Sequence, residues 1–229
     1  MPYPVIQWTT PVSIIPEQRI GKWHIKKRVC KAKTTLEMAH DDCAVFLRDN
    51  TITILRDTEG ADTEGVWMSD SPSEYFMAWE LSARTKGSRV LIGGLGLGLL
   101  VHILALRRDI EAITIIEKSP EVIEMVAPYL PKDISVEVIE GDFLYEIQKL
   151  SQQEREFDTV IADIWKQVDG NEELIEDCRW AMDDNYPDAV HLFWSWQDDK
   201  DEEDIKHGLA WLHIQEKRKE DSNILTEVV

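Results

Sequence analysis

Val90-Leu91-Ile92-Gly93-Gly94-Leu95-Gly96-Leu97-Gly98-Leu99-Leu100 decides the fold class of this chain. Val90 to Ile92 reads as a short buried strand, the glycines as a tight turn, and Leu99 to Leu106 as an apolar helix. That order leaves bare backbone at a helix N-terminus, where a ligand can approach the N–H groups without meeting side chains. Spacing narrows the choice of ligand. A dinucleotide fingerprint needs Gly-x-Gly-x-x-Gly, but the third position is Leu99 counted from Gly94 and Val101 counted from Gly96. What remains is Gly94-x-Gly96-x-Gly98, a pattern that also occurs in plain tight connections.

The residues that follow extend the signal. Ala112 to Ile116 forms a second β-rich apolar run and ends at Glu117. An acid about 20 residues beyond a glycine turn can accept hydrogen bonds from both hydroxyls of a ribose; a capping or solvated carboxylate is the alternative. Ser119-Pro120-Glu121 supplies a cap residue, a proline at the first helical position and an acid in the first turn. Val122, Ile123, Val126 and Leu130 then recur at helical spacing. A third strand, Ile134 to Ile139, ends in Glu140-Gly141-Asp142-Phe143. There a carboxylate can accept from an adenine amino group while Phe143 lies against the ring, and Asp142 can also cap a helix from Leu144 to Leu150. A fourth strand, Phe157 to Ala162, ends at Asp163. Open parallel sheets bind ligands at the carboxyl ends of their strands.

Taken in order, Gly94-Leu95-Gly96-Leu97-Gly98, Ile116-Glu117, Gly141-Asp142-Phe143 and Asp158-Thr159-Val160-Ile161-Ala162-Asp163 resemble a class I methyltransferase fold that uses S-adenosylmethionine (SAM). Within it they resemble the spermidine-synthase-like branch. The likeness covers residues 66–195. It implies an α/β fold with a Rossmann-like, doubly wound, mostly parallel sheet, preceded by a small β-rich extension. It also implies that the glycine turn of Gly94, Gly96 and Gly98 cradles the donor. Glu117 would hold the ribose, Asp142 and Phe143 the adenine, and Asp163 would face the sulfonium and the acceptor.

Departures from that branch bear on the reaction. Spermidine synthases carry an aspartate in the glycine turn, where this chain has Leu97. Their later motif reads like Asp-Ser-Ser-Asp, where this chain has Asp163-Ile164-Trp165-Lys166. A dication is held by opposed carboxylates, so a leucine and a lysine remove two anchors and add repulsion. Methyl transfer to a small molecule, with Asp163 as the catalytic group, is therefore the expected activity. Aminopropyl transfer to a polyamine from decarboxylated SAM is the first alternative. A non-catalytic relative acting as a binding or structural protein is the second.

Composition fits this reading. At 229 residues, 43% hydrophobic and 30% charged, the chain can bury one full core. The expected division is a β-rich extension over 1–68 and a SAM-binding domain over 69–229. A net charge of −19 argues against a nucleic-acid partner, because that affinity rests on lysine and arginine neutralising phosphates. No apolar run reaches the roughly 18 residues a membrane span needs, and the N-terminus lacks the pattern of a secretory signal. Cys30, Cys43 and Cys178 are scattered, which suggests neither disulfides nor a metal site and points to a reducing cytoplasm.

Before the glycine turn, Val12 to Ile15, Lys22 to Cys30, Cys43 to Arg48, Thr51 to Arg56 and Val66 to Met68 read as short strands. Asp49-Asn50 is expected in a hairpin turn between two of them. Lys22, Lys26, Lys27, Arg28, Lys31 and Lys33 read as a solvated strand face. In the resembling family this β region supports oligomer contacts. A helix from Ser71 to Arg84 follows, and Glu74 and Tyr75 are pocket candidates on it. After Asp163 come a helix (Glu172 to Met182), an aromatic strand (Ala189 to Trp196), a helix (Glu202 to Leu212) and a last strand near His213 to Lys217. Trp165, Trp194 and Trp196 fall near the ligand edge, where they could wall a planar or cationic acceptor, an amine among the candidates. The acidic run Asp198 to Asp204 reads as a solvated loop.

Overall fold

The computed structural model describes residues 5–6, 9–30, 34–37, 44–47, 50–59, 65–166 and 170–194. All of them fall within one compact unit, Met1–Ser195. The expected helix over 202–212, the strand near 213–217, Asp49, Trp196 and the acidic run lie outside the described residues.

The first half of the chain is β-rich, as its branched and aromatic residues dictate. Its strands are β1 (Val5–Ile6), β2 (Gln18–Ile20), β3 (Trp23–Cys30), β4 (Thr34–Glu37), β5 (Ala44–Leu47), β6 (Asn50–Asp57) and β7 (Val66–Ser69). An antiparallel sheet has the order β2-β3-β6-β7, and a mixed sheet has the order β1-β5-β4, with β1 parallel and β4 antiparallel to β5. β3 and β6 pair along their whole length, from Trp23 opposite Asp57 to Cys30 opposite Asn50. With β7 on its other edge, β6 has no side left for β5, so the hairpin expected between those two strands does not form.

One expected strand is a helix. Pro11–Ile14 forms a 3-10 turn in which Ser13 N–H donates to Thr10 O and Ile15 N–H to Val12 O. Pro11 pre-sets the first helical φ, and Pro16 has no N–H to offer a ladder. The turn still buries Val12 and Ile15 completely.

The second half alternates strand and helix. Helix α1 (Pro72–Arg84) leads into β8 (Arg89–Gly93), α2 (Leu99–Ala105), β9 (Ala112–Glu117), α3 (Pro120–Val126), β10 (Ser135–Glu140), α4 (Phe143–Gln152), β11 (Thr159–Ala162), α5 (Glu172–Asn185) and β12 (Val190–Phe193). The five strands form one all-parallel sheet ordered β10-β9-β8-β11-β12. The chain is therefore α/β, with a five-stranded parallel sheet and a separate four-stranded antiparallel one. Central strands are buried on both faces: Val90, Leu91, Val160, Ile161 and Ala162 have no exposed surface. Continuous apolar runs are what such strands require. Edge strand β10 alternates instead, with Ser135 and Glu137 exposed. α1 packs on α2, and α4 on α5. Because crossovers are right-handed, reversing direction at β8 places the two pairs on opposite faces. α3 gives way to a 3-10 turn (Ala127–Tyr129), where Pro128 lacks the N–H a helix would need. No helix among the described residues is long and apolar enough to cross a membrane.

Candidate functional site

Strand order reverses between β8 and β11, and at such a point the loops leaving adjacent strands part to open a crevice at the carboxyl edge. A cavity of about 450 Å³ lies there. Gly94 and Gly96 (after β8), Glu117 (end of β9), Asp142 and Phe143 (after β10) and Asp163 (after β11) all line it. Four neighbouring strands thus deliver six of the seven residues singled out from sequence to one wall. Gly98, the seventh, packs away from the cavity and serves as the N-cap of α2, with φ 74°.

The glycine turn depends on its glycines for conformation and for space. Gly94 has φ 96°, and a Cβ there would sit 2.0 Å from Asp163 O. Gly96 has φ 51°, and its Cβ would meet Met68 Sδ at 2.1 Å. That sulfur accepts the Leu97 N–H at 3.0 Å, which ties the turn to β7. The Leu97 side chain is fully buried in the core.

Glu117 holds two turns together. Its Oε2 accepts the Leu95 N–H (2.9 Å) and its Oε1 the Ser119 N–H (2.8 Å), while its backbone oxygen accepts Gly141 N–H (2.9 Å). A carboxylate so fixed is oriented before any ligand arrives, and each oxygen keeps a lone pair for a hydroxyl. Asp142 is the N-cap of α4: it accepts the Leu144 N–H (3.1 Å) and pairs with Lys118 (2.9 Å). The hydrogen bond from Lys118 holds its carboxyl below the usual carboxylate range. Phe143 is 3% exposed, and its ring lies on Gly93, where an added Cβ would meet it at 2.6 Å.

Asp163 continues the sheet by one residue, its N–H donating to Gly93 O at 2.9 Å. The loop beyond it is pinned by Trp165, whose indole N–H donates to Trp194 O at 2.8 Å. Enclosure pushes the Asp163 carboxyl up to about 7, and the Glu117 charge adds to the effect. Glu74, on the first turn of α1, lines the same cavity and is pushed up to about 8, by burial first and then by Asp163. Tyr75 packs on the core and does not line the cavity. Trp165, Trp194 and Lys166 do line it.

Sequence reasoning missed the part of the cavity lining that comes from the antiparallel sheet. Trp23 and Trp67, from β3 and β7, line the cavity and meet edge to face, 5.4 Å between centroids at 87°. Lys22 also lines it and is paired with Asp57 at 2.9 Å. No motif marks these residues; only the alternation of Trp23 and Ile25, both buried, signals a covered strand face. The expected solvated basic face holds only in part. Lys27 turns inward, donating to Ser13 O and Thr53 Oγ1 at 2.8 Å each, while Arg28 is exposed. Among the described residues, no group of three or more His, Cys, Asp or Glu could hold a metal ion.

No family model matches the chain, and no curated protein matches it either.

Proposed function

We propose that the chain is a SAM-dependent transferase that passes a methyl group to a small-molecule acceptor, its parallel sheet being the core of a Rossmann-like methyltransferase fold. One observation carries this reading: a glycine turn and three acids from the ends of four adjacent parallel strands line a single cavity. The residues present suit the donor. Glu117 offers fixed acceptor oxygens to the ribose diol. Asp142, Phe143 and Leu144 line the stretch of the cavity proposed for the adenine. SAM supplies an electrophilic methyl carbon on a sulfonium. The protein's part is to hold donor and acceptor in line and take up the acceptor's proton. Asp163, on the wall of the same cavity, is the group proposed for the acceptor's proton.

Aminopropyl transfer from decarboxylated SAM remains a second reading, favoured by one observation, the extra carboxyl of Glu74 on the cavity wall. Against it stand Lys166 on that wall and a Leu97 side chain withdrawn into the core. The few scattered cysteines support a cytoplasmic setting.

Glu117→Ala tests the donor site. Loss of charge-assisted hydrogen bonds to the ribose should weaken SAM binding by about 1.5–3 kcal/mol per bond, read by calorimetry. Unchanged affinity would remove Glu117 from the site.

A further inference from the structure

The antiparallel sheet carries a surface that the cavity does not use. Side chains alternate along β3: Trp23, Ile25 and Lys27 turn inward, which leaves His24, Lys26 and Arg28 on the outer face. The register adds two more cations. Arg19 of β2 and Arg56 of β6 stand opposite His24 on either side, so a basic row crosses three strands. Like charges directly opposite one another destabilise a sheet. His24 feels them: burial first, then Lys26, Arg19 and Arg56, holds its pKa below the ordinary value. The acid acting on it among the described residues is Glu17, whose Oε1 accepts the Lys27 N–H at 2.8 Å. Lys26, Arg28 and Arg56 have no ion-pair partner among the described residues, and Arg19 and Arg28 are exposed. On a chain of net charge −19 this face runs against the composition.

A complementary surface lies on the chain itself. Helix α5 holds six acids and one cation, Arg179, which is paired with Glu176 at 3.3 Å and lies over Phe193. Its inner side buries Cys178 and Met182. On its outer side Glu173, Asp177, Trp180 and Asp184 follow the i, i+4, i+7, i+11 spacing of one helical stripe, and all four are exposed. None of these three acids has an ion-pair partner among the described residues. Trp180, 63% exposed, sets a large apolar ring between them. A guanidinium can stack on an indole face and pair with a neighbouring carboxylate at once. The stripe is about 16 Å long at about 1.5 Å per residue, and His24 to Arg28 spans about 13 Å. Both surfaces are open in the single chain, so neither covers the other.

We propose that the outer face of the antiparallel sheet docks the α5 stripe of a second copy of the chain, with Trp180 set against Arg19 or Arg28. The second copy supplies what the face lacks, three carboxylates and an aromatic anchor, and tryptophan and arginine are the residues that dominate interface energies. Contact between two unlike faces closes as a reciprocal dimer or extends head to tail. It does not depend on the transferase reading. Net charge opposes it, because the copies repel at long range while the docked charges attract at short range. At about 0.1 M salt the Debye length is about 10 Å, which screens the repulsion across the molecule and spares charges in contact. At about 1 M it is about 3 Å, and the contact is screened as well.

Sedimentation equilibrium of the full chain tests the contact. The wild type should associate at about 0.1 M salt and dissociate at about 1 M. Arg19→Glu with Arg28→Glu makes the chain more negative, and Glu173→Lys with Asp184→Lys makes it less negative. Each pair of substitutions should abolish the association, and all four positions are exposed, away from the core. Net charge acting alone would instead strengthen association of the lysine variant. Mixing the two variants should restore the complex, because the acidic α5 of the first meets the cationic sheet of the second. Trp180→Ala should weaken it about tenfold or more. A wild type that stays monomeric at about 0.1 M salt, an unchanged Trp180→Ala, or variants that fail to complement on mixing overturns the proposal. So does a single-stranded oligonucleotide that binds the wild type but not the Arg19→Glu, Arg28→Glu chain, which would assign the face to phosphates.

Discussion

Replacing Asp163 by asparagine should stabilise the protein, and only at high pH. The carboxyl is raised from 3.8 to about 7 by enclosure and by Glu117. A native pKa above the unfolded one means that the native state binds more protons between those two values. Stability therefore falls as pH rises from the unfolded pKa through the folded one, and the full cost is present above it. Roughly three pKa units at 1.36 kcal/mol each set a ceiling of about 4 kcal/mol. Coupling to Glu74 spreads part of that cost over both carboxyls, so Asp163→Asn and Glu74→Gln together should gain less than the sum of each alone. Asparagine is nearly isosteric and keeps the backbone bond to Gly93. At about pH 8 Asp163→Asn should gain up to about 4 kcal/mol in urea denaturation, with each kcal/mol moving Tm by about 2–4 °C. At about pH 3, below both pKa values, where the wild-type carboxyl is largely neutral in both states, the gain should nearly vanish. A loss of stability at the higher pH, or an equal change at both, would refute the reasoning. A stabilising change at a group proposed for chemistry is the expected mark of a functional carboxyl kept in an unfavourable place.

Two further substitutions test the scaffold. Gly94→Ala must fit a methyl 2.0 Å from Asp163 O at φ 96°, whereas Gly170→Ala has φ 81° but nothing within 4 Å among the described residues. Gly170→Ala should cost about 1–2 kcal/mol and Gly94→Ala at least about 2 kcal/mol more in urea denaturation; equal costs would show that the turn can move aside. Asp70 is 1% exposed and accepts from Thr10 Oγ1 at 2.5 Å and from Thr53 N–H at 2.6 Å. Asp70→Ala leaves both donors buried without a partner and should cost about 2–4 kcal/mol, whereas a loss below about 0.5 kcal/mol would mean that water replaces the carboxylate.

The parallel half of the fold was legible because burial on both faces demands continuous apolar strands, and β8, β9 and β11 carry little else. Their ends were legible for a related reason: Gly94, Glu117, Asp142 and Asp163 each break an apolar run where the chain must turn. The antiparallel half was harder. Val12, Ile14 and Ile15 are apolar and branched, and only the flanking Pro11 and Pro16 distinguish a helical turn from a strand. Pairing of β6 with β3 and β7, rather than with β5, depends on contacts distant in sequence, which local turn chemistry at Asp49-Asn50 does not encode. The same limit hid Trp23 and Trp67. A wall built from another sheet carries no spacing signature relative to the glycine turn. Glu74 was named from its place on α1, but that it lines the same cavity as Asp163 needed the fold. Lys27 shows the converse, a lysine in a basic run turned inward by backbone and hydroxyl oxygens that sequence places far away.

The most direct measurement is calorimetric titration of the purified chain with SAM, decarboxylated SAM, S-adenosylhomocysteine and methylthioadenosine in parallel. The proposed methyl-donor site requires SAM and S-adenosylhomocysteine to bind, and to bind better than the two forms that lack the amino-acid carboxylate. Preference for decarboxylated SAM and methylthioadenosine would move the assignment to aminopropyl transfer, and binding of none of the four would contradict the donor site itself.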